Sequence, residues 1–167
     1  MTHAIAWSSP AAEVRLTPHE ILLAGIVALL RRIEDLGKGD KCGRDLTDPN
    51  SIGWSMEIEG ACGELAVAKF TGRTWLGVGV MRGDDVPGLQ VRTTRHTTGR
   101  LLVRRDDPNE ATFVLVTGRT PVFVIRGWVY GREAKRDEWW GAPNPTAPAL
   151  FCVPQAALHS PVDLVGG

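Results

Sequence analysis

Residues 82–94 read Arg82-Gly83-Asp84-Asp85-Val86-Pro87-Gly88-Leu89-Gln90-Val91-Arg92-Thr93-Thr94. A turn punctuated by glycine and proline, with two acids in it, leads into a stretch whose polarity alternates. In a strand, alternate residues share a face, so Leu89 and Val91 are expected in a core while Gln90 and Arg92 point together the other way. Two readings follow. One is a solvated hairpin with Asp84-Asp85 in the turn. The other is a polar site built where the strand leaves the turn, with Asp85 as its acid and the adjacent Asp84 as the substitute. Short patterns of this kind recur by chance, so the surroundings must decide.

Working outward, a period of two begins at Thr74. Candidate strands are 74–80, 88–94, 100–105, 112–117 and 121–129, joined by Gly-Asp, Thr-Gly, Asp-Pro-Asn and Gly-Arg-Thr-Pro turns. Upstream, Thr17-Pro18-His19-Glu20 is a capping box with proline at the first helical position. A helix is expected from there to about Asp35, closed by Gly37. Its positions Ile21, Leu22, Ala24, Gly25, Ala28, Leu29, Arg32 and Ile33 crowd one broad face, which asks for a large docking partner. A second helix, about Ser55 to Phe70, is rich in small residues, and its interior glycines imply close packing against a neighbour. After the strands come a short polar helix or turn (132–140), the proline-rich segment 141–149, a short apolar strand 150–153 and a helical turn 154–158. Helices first and hairpin-linked strands after them predict one α+β domain over residues 1–167, with a mixed sheet covered by helices. Residues 1–16 read as an N-terminal arm and residues 37–53 as a loop.

Composition narrows the function. The formal charge is zero, so a polyanionic partner would be met by a local patch and not by the whole chain. The three cysteines (Cys42, Cys62, Cys152) are widely spaced, which argues against a disulfide framework or a zinc site and for a reducing cytoplasm. The N-terminal stretch lacks the charged-then-apolar order of a signal peptide. The longest apolar run, Ile21 to Leu30, is too short to span a bilayer. No phosphate-binding glycine loop and no nucleophile elbow is present.

Two further features bear on the Asp85 turn. On the second helix, Glu57, Gly60, Ala61, Glu64 and Ala68 fall on one stripe. It is either an exposed acidic edge or a face pressed on the sheet so that Glu64 reaches the site. After Arg92, the stretch holding Arg95, His96, Arg100, Arg104 and Arg105 with Thr93, Thr94, Thr97 and Thr98 contains no acid before Asp106. Arginines and hydroxyls are the usual phosphate contacts in sequence-independent DNA binding. An ordinary basic hairpin, balanced by Asp106, Asp107 and Glu110, is the alternative.

Together these residues resemble the PD-(D/E)XK nuclease superfamily, in its small, phage-type form. The resemblance covers roughly residues 55–130 and rests on Glu64 in an early helix, Asp85, and Gln90-Val91-Arg92, with an amide and an arginine where an acid and a lysine are usual. It implies a restriction-endonuclease-like fold and a Mg²⁺- or Mn²⁺-dependent hydrolase acting on DNA. Glu64, Asp85, the Gln90 side chain and the Val91 carbonyl would be the oxygen ligands. Arg92 would clamp the phosphate, because it stays protonated and cannot act as a base. Arg95, Arg100, Arg104 and Arg105 would contact the nucleic acid. The competing expectation is a nuclease fold without catalysis that binds nucleic acid or protein.

Overall fold

The capping box at Thr17 forms: the Thr17 N–H donates to Glu20 Oε2 at 2.6 Å and the Glu20 N–H to Thr17 Oγ1 at 3.3 Å. It starts α1, Pro18–Gly37. The computed structural model of the chain describes residues 11–37, 53–77, 83–145 and 147–165. Most of the expected 37–53 loop lies outside these residues. The other described elements are α2 (Gly53–Thr71), a four-residue α3 (Gly131–Ala134), and strands β1 (Ala12–Arg15), β2 (Leu89–Thr94), β3 (Leu101–Val103), β4 (Thr112–Arg119), β5 (Val122–Tyr130), β6 (Trp140–Gly141) and β7 (Leu150–Val153). Short 3-10 turns occupy Asp137–Trp139, Gln155–Ala157 and Pro161–Leu164.

The fold is α+β, with two sheets among the described residues. The larger runs β1-β5-β4-β2 and the smaller β3-β7-β6. The larger sheet is mixed because β2 lies parallel to β4, while β4 and β5 form the hairpin. Three expectations change here. Residues 74–77 form no strand, and 78–80 fall outside the described residues. The expected strand 100–105 shortens to β3 and leaves for the smaller sheet, so β2 and β3 are not a hairpin. The N-terminal arm contains β1, whose four residues pair antiparallel with β5.

From Ala61 to Ala68 every position of α2 is buried or half-buried, while Trp54, Met56 and Lys69 nearer its ends are exposed. It touches α1 on one side and β1, β2, β4 and β5 on the other. Ala61, Ala66, Val67 and Ala68 join Leu89, Val91, Val114, Val116, Phe123 and Ile125 in one buried cluster. Alternation along β4 sends Phe113 and Leu115 to the opposite face. There they meet Leu101, Val103, Phe151 and Val153 of the smaller sheet in a second cluster. The order of layers is thus α1, α2, large sheet, small sheet.

One irregularity makes β5 serve both cores. Leu115 pairs with Gly127 but Val116 pairs with Ile125, leaving Arg126 as an extra residue. A single inserted residue turns every later side chain over. Phe123 and Ile125 therefore face the helices, while Val129 faces the small sheet. Gly127 sits at the bulge with φ +149, and a Cβ there would stand 2.3 Å from the His159 carbonyl oxygen. Only glycine suits both the angle and the approach.

The broad face expected of α1 splits in two. Ala24, Ala28 and Arg32 are buried, whereas Leu22, Leu29 and Ile33 are exposed. Small residues at the inner positions let α1 lie close to α2, and the large aliphatic side chains are left outside.

Candidate functional site

The turn before β2 is built by its own acids. Asp84 Oδ2 accepts the Gly88 N–H at 2.7 Å, and Asp85 Oδ2 accepts the Val91 N–H at 2.7 Å. Val86 and Leu89 exchange backbone hydrogen bonds across the turn. Each aspartate thus satisfies a donor that the start of an edge strand would otherwise leave open.

Glu64 and Asp85 come close enough to feel each other. Glu64 lies on α2, 7% exposed. It receives both Nη groups of Arg31, each at 2.8 Å, and the Trp75 indole N–H at 3.1 Å. A bidentate guanidinium plus an indole uses three of the roughly four lone-pair sites of a carboxylate. Burial, then the Glu64 charge, pushes the Asp85 carboxyl above its ordinary value, against the Val91 N–H and the charges of Arg92 and Arg31. Burial disfavours the Arg31 charge, but the hydrogen bonds and charge of Glu64 outweigh it and hold its pKa up.

Gln90 and Arg92 are held differently. The Leu89, Val91 and Thr93 face of β2 meets α2, with Thr93 against Gly63. Gln90 and Arg92 therefore project to the opposite face, over Phe113 and Leu115, their partners in the parallel register. Gln90 Nε2 donates to Asp84 Oδ1 at 3.2 Å and to the Gly83 carbonyl at 3.3 Å. Arg92 lies over the Phe113 ring, 5.2 Å from its centroid. Its Nη1 donates to the Val91 carbonyl at 3.3 Å and stands 3.7 Å from Asp85 Oδ2, while its Nη2 stands 3.6 Å from Asp107 Oδ2.

The expected Mg²⁺ or Mn²⁺ ligand set can be tested against this wiring. Glu64 is neutralised by Arg31, Gln90 is turned to Asp84, and the Val91 carbonyl and Asp85 both face Arg92. The Arg92 guanidinium stands 3.3 Å from the Val91 carbonyl and 3.7 Å from Asp85, two of the expected oxygen ligands. Among the described residues, no three acids, histidines or cysteines are grouped to hold one. The residues as arranged do not fit a divalent cation. Asp84 and Asp85 do line a cavity of about 240 Å³ with Arg31, Leu76, Gly77, Gly83 and Pro87.

The basic stretch after β2 is divided by the fold. Arg92, Thr94, His96, Thr98, Arg100, Asn144 and Cys152 line a cleft of about 860 Å³ between β2 and the small sheet. None of the described residues lining it is an acid. The turn that carries His96 and Thr98 is pinned by Gln155, whose Nε2 donates to the Thr97 and Gly99 carbonyls, each at 2.8 Å. Arg95 turns away towards the start of α2, where its Nη2 donates to Ser55 Oγ at 3.0 Å. Arg104 uses its backbone N–H on Asp107 at 2.8 Å, and Arg105 lies over Trp140, 4.4 Å from the ring centroid. Arg104 and Arg105 do not line the cleft.

Sequence reasoning missed Arg31, Trp75 and Gln155, whereas Asp107 is among the acids expected to balance the basic stretch. Arg31 carried a signal, a charge at the end of a ten-residue uncharged run. Trp75 and Gln155 become partners only through folding.

Comparison with protein-family models, curated proteins and solved structures found no match. The functional reading therefore rests on the site itself.

Proposed function

We propose that this protein binds a nucleic-acid strand in the cleft between β2 and the small sheet. In this reading it is a module related in layout to the PD-(D/E)XK nucleases, with an arginine in place of the cation. The observation that carries it is the cleft lining: Arg92, Arg100, His96 and threonine hydroxyls, without a carboxylate among the described residues. Asp85 and Asp107 lie 3.7 and 3.6 Å from Arg92, beyond hydrogen-bonding range. They orient the guanidinium and leave N–H groups that a phosphate oxygen can take. Arg100 adds a second charge to the same cleft.

DNA is the first probe. Binding of labelled single-stranded and duplex DNA should weaken steeply with salt. In Arg92→Ala or Arg100→Ala the logarithmic salt slope should drop by about 0.7 to 0.9 for each phosphate that is no longer neutralised. Arg104→Ala, outside the cleft, should bind nearly as the parent does. Binding that is indifferent to salt and to Arg100→Ala would overturn the proposal. DNA cleavage in Mg²⁺ or Mn²⁺ that disappears in Asp85→Ala would replace it with the hydrolase.

A further inference from the structure

We infer that the outer face of α1 is a pairing surface for a second copy of this chain. Six large aliphatic side chains on this one helix, Leu22, Leu23, Ile26, Leu29, Leu30 and Ile33, are between 43% and 64% exposed. Residues 21–30 carry no charge, and charge depletion with retained apolar area marks the centre of a protein interface. The helix is already seated on the fold through Ala24 and Ala28 on its other side.

The size of the patch fits a pair of copies. Six side chains about half exposed equal roughly three whole ones, on the order of 400 Å² of apolar surface. Homodimer interfaces are roughly 65% apolar, so such a core implies about 600 Å² on each copy. The total, about 1,200 Å², meets the lower edge of stable protein pairs.

The pattern fits as well. Leu22, Ile26, Leu29 and Ile33 follow the 4-3-4 spacing of a helix-pairing seam. The seam reads the same from either end, which a two-fold interface uses by matching each position with another on its partner. Antiparallel pairing sets Leu22 against the partner's Ile33 and Ile26 against the partner's Leu29. Both ends of α1 carry an acid, Glu20 in the first turn and Glu34 in the last, so the direction rests on the helix dipoles, which oppose each other in an antiparallel pair and align in a parallel one.

Sedimentation equilibrium of the full chain across a hundredfold concentration range tests this without reference to nucleic acid. The parent should move from monomer to dimer, while Ile26→Lys/Leu29→Lys should stay monomeric with an unchanged circular dichroism spectrum and melting temperature. Both positions are exposed, so the variant keeps its fold. A parent that is monomeric throughout, a larger assembly, or a dimer that survives the double substitution would overturn the inference. In a Cys42→Ser background, Leu22→Cys/Ile33→Cys should crosslink between copies under oxidation. Equally fast crosslinking of Leu22→Cys alone would overturn the antiparallel arrangement.

Discussion

Asp85 sits where two carboxylates and two guanidiniums alternate, and its protonation is set by that neighbourhood. Burial and Glu64 raise its pKa above the ordinary 3.8. A carboxyl whose folded pKa is raised stabilises the fold fully below the unfolded value, and loses that contribution as pH rises through the folded one. At neutral pH Asp85 therefore carries a cost that Asn would not carry, and the amide oxygen of Asn can still accept the Val91 N–H. Asp85→Asn should be at least as stable as the parent at pH 7 by urea denaturation, with the difference shrinking as pH falls towards 4. A variant much weaker at pH 7 would mean that the Asp85–Arg92 attraction outweighs desolvation. At this scale the sequence was readable in part. Asp85 and Arg92 could be singled out from their spacing, but the identity of the partner of Glu64 could not, because Arg31 is 33 residues away.

At the scale of elements, the contact that places α2 on β2 is unusually close. A Cβ on Gly63 would stand 2.0 Å from Thr93 Oγ1, and that hydroxyl is buried without a partner. The glycine expected to permit close packing does so, against a strand. Gly63→Ala should cost about 1 to 3 kcal/mol, the usual penalty of overpacking. Thr93→Ala should relieve most of it, since it removes the nearest atom and leaves a Cβ at 3.1 Å. Denaturation of the two single variants and the double variant checks this, and strict additivity would refute the contact. Helix ends, β4, β5 and β7 were legible because caps, glycines and alternation are local. The parallel partnership of β2 with β4 was not. Nothing in residues 89–94 says which neighbour they join, and the departure of β3 to the small sheet leaves β2 as an edge among the described strands.

At the scale of the molecule, the larger sheet separates two apolar clusters, and the cleft belongs to the second. Phe113 is buried there beneath the Arg92 guanidinium. Phe113→Ala should destabilise the protein by about 3 to 5 kcal/mol. It should also weaken DNA binding by removing the platform under Arg92, whereas Phe123→Ala in the first cluster should cost similar stability and leave binding intact. Melting curves and binding isotherms on the same preparations separate the two effects. By itself, the sequence determined an α+β chain with a helical first part, alternating strands after residue 88, and an acid-and-arginine corner at Asp85 and Arg92. These are consequences of local periodicity, capping and turn chemistry. Only the tertiary structure decided that Glu64 is tied to Arg31, that Gln90 and Arg92 face away from α2, and that Arg100 shares a cleft with Arg92 while Arg104 and Arg105 do not. The first depends on how α1 packs on α2, and the others on which strands pair. The side of the sheet on which a side chain emerges is set by register, and register is fixed by the fit of both faces at once.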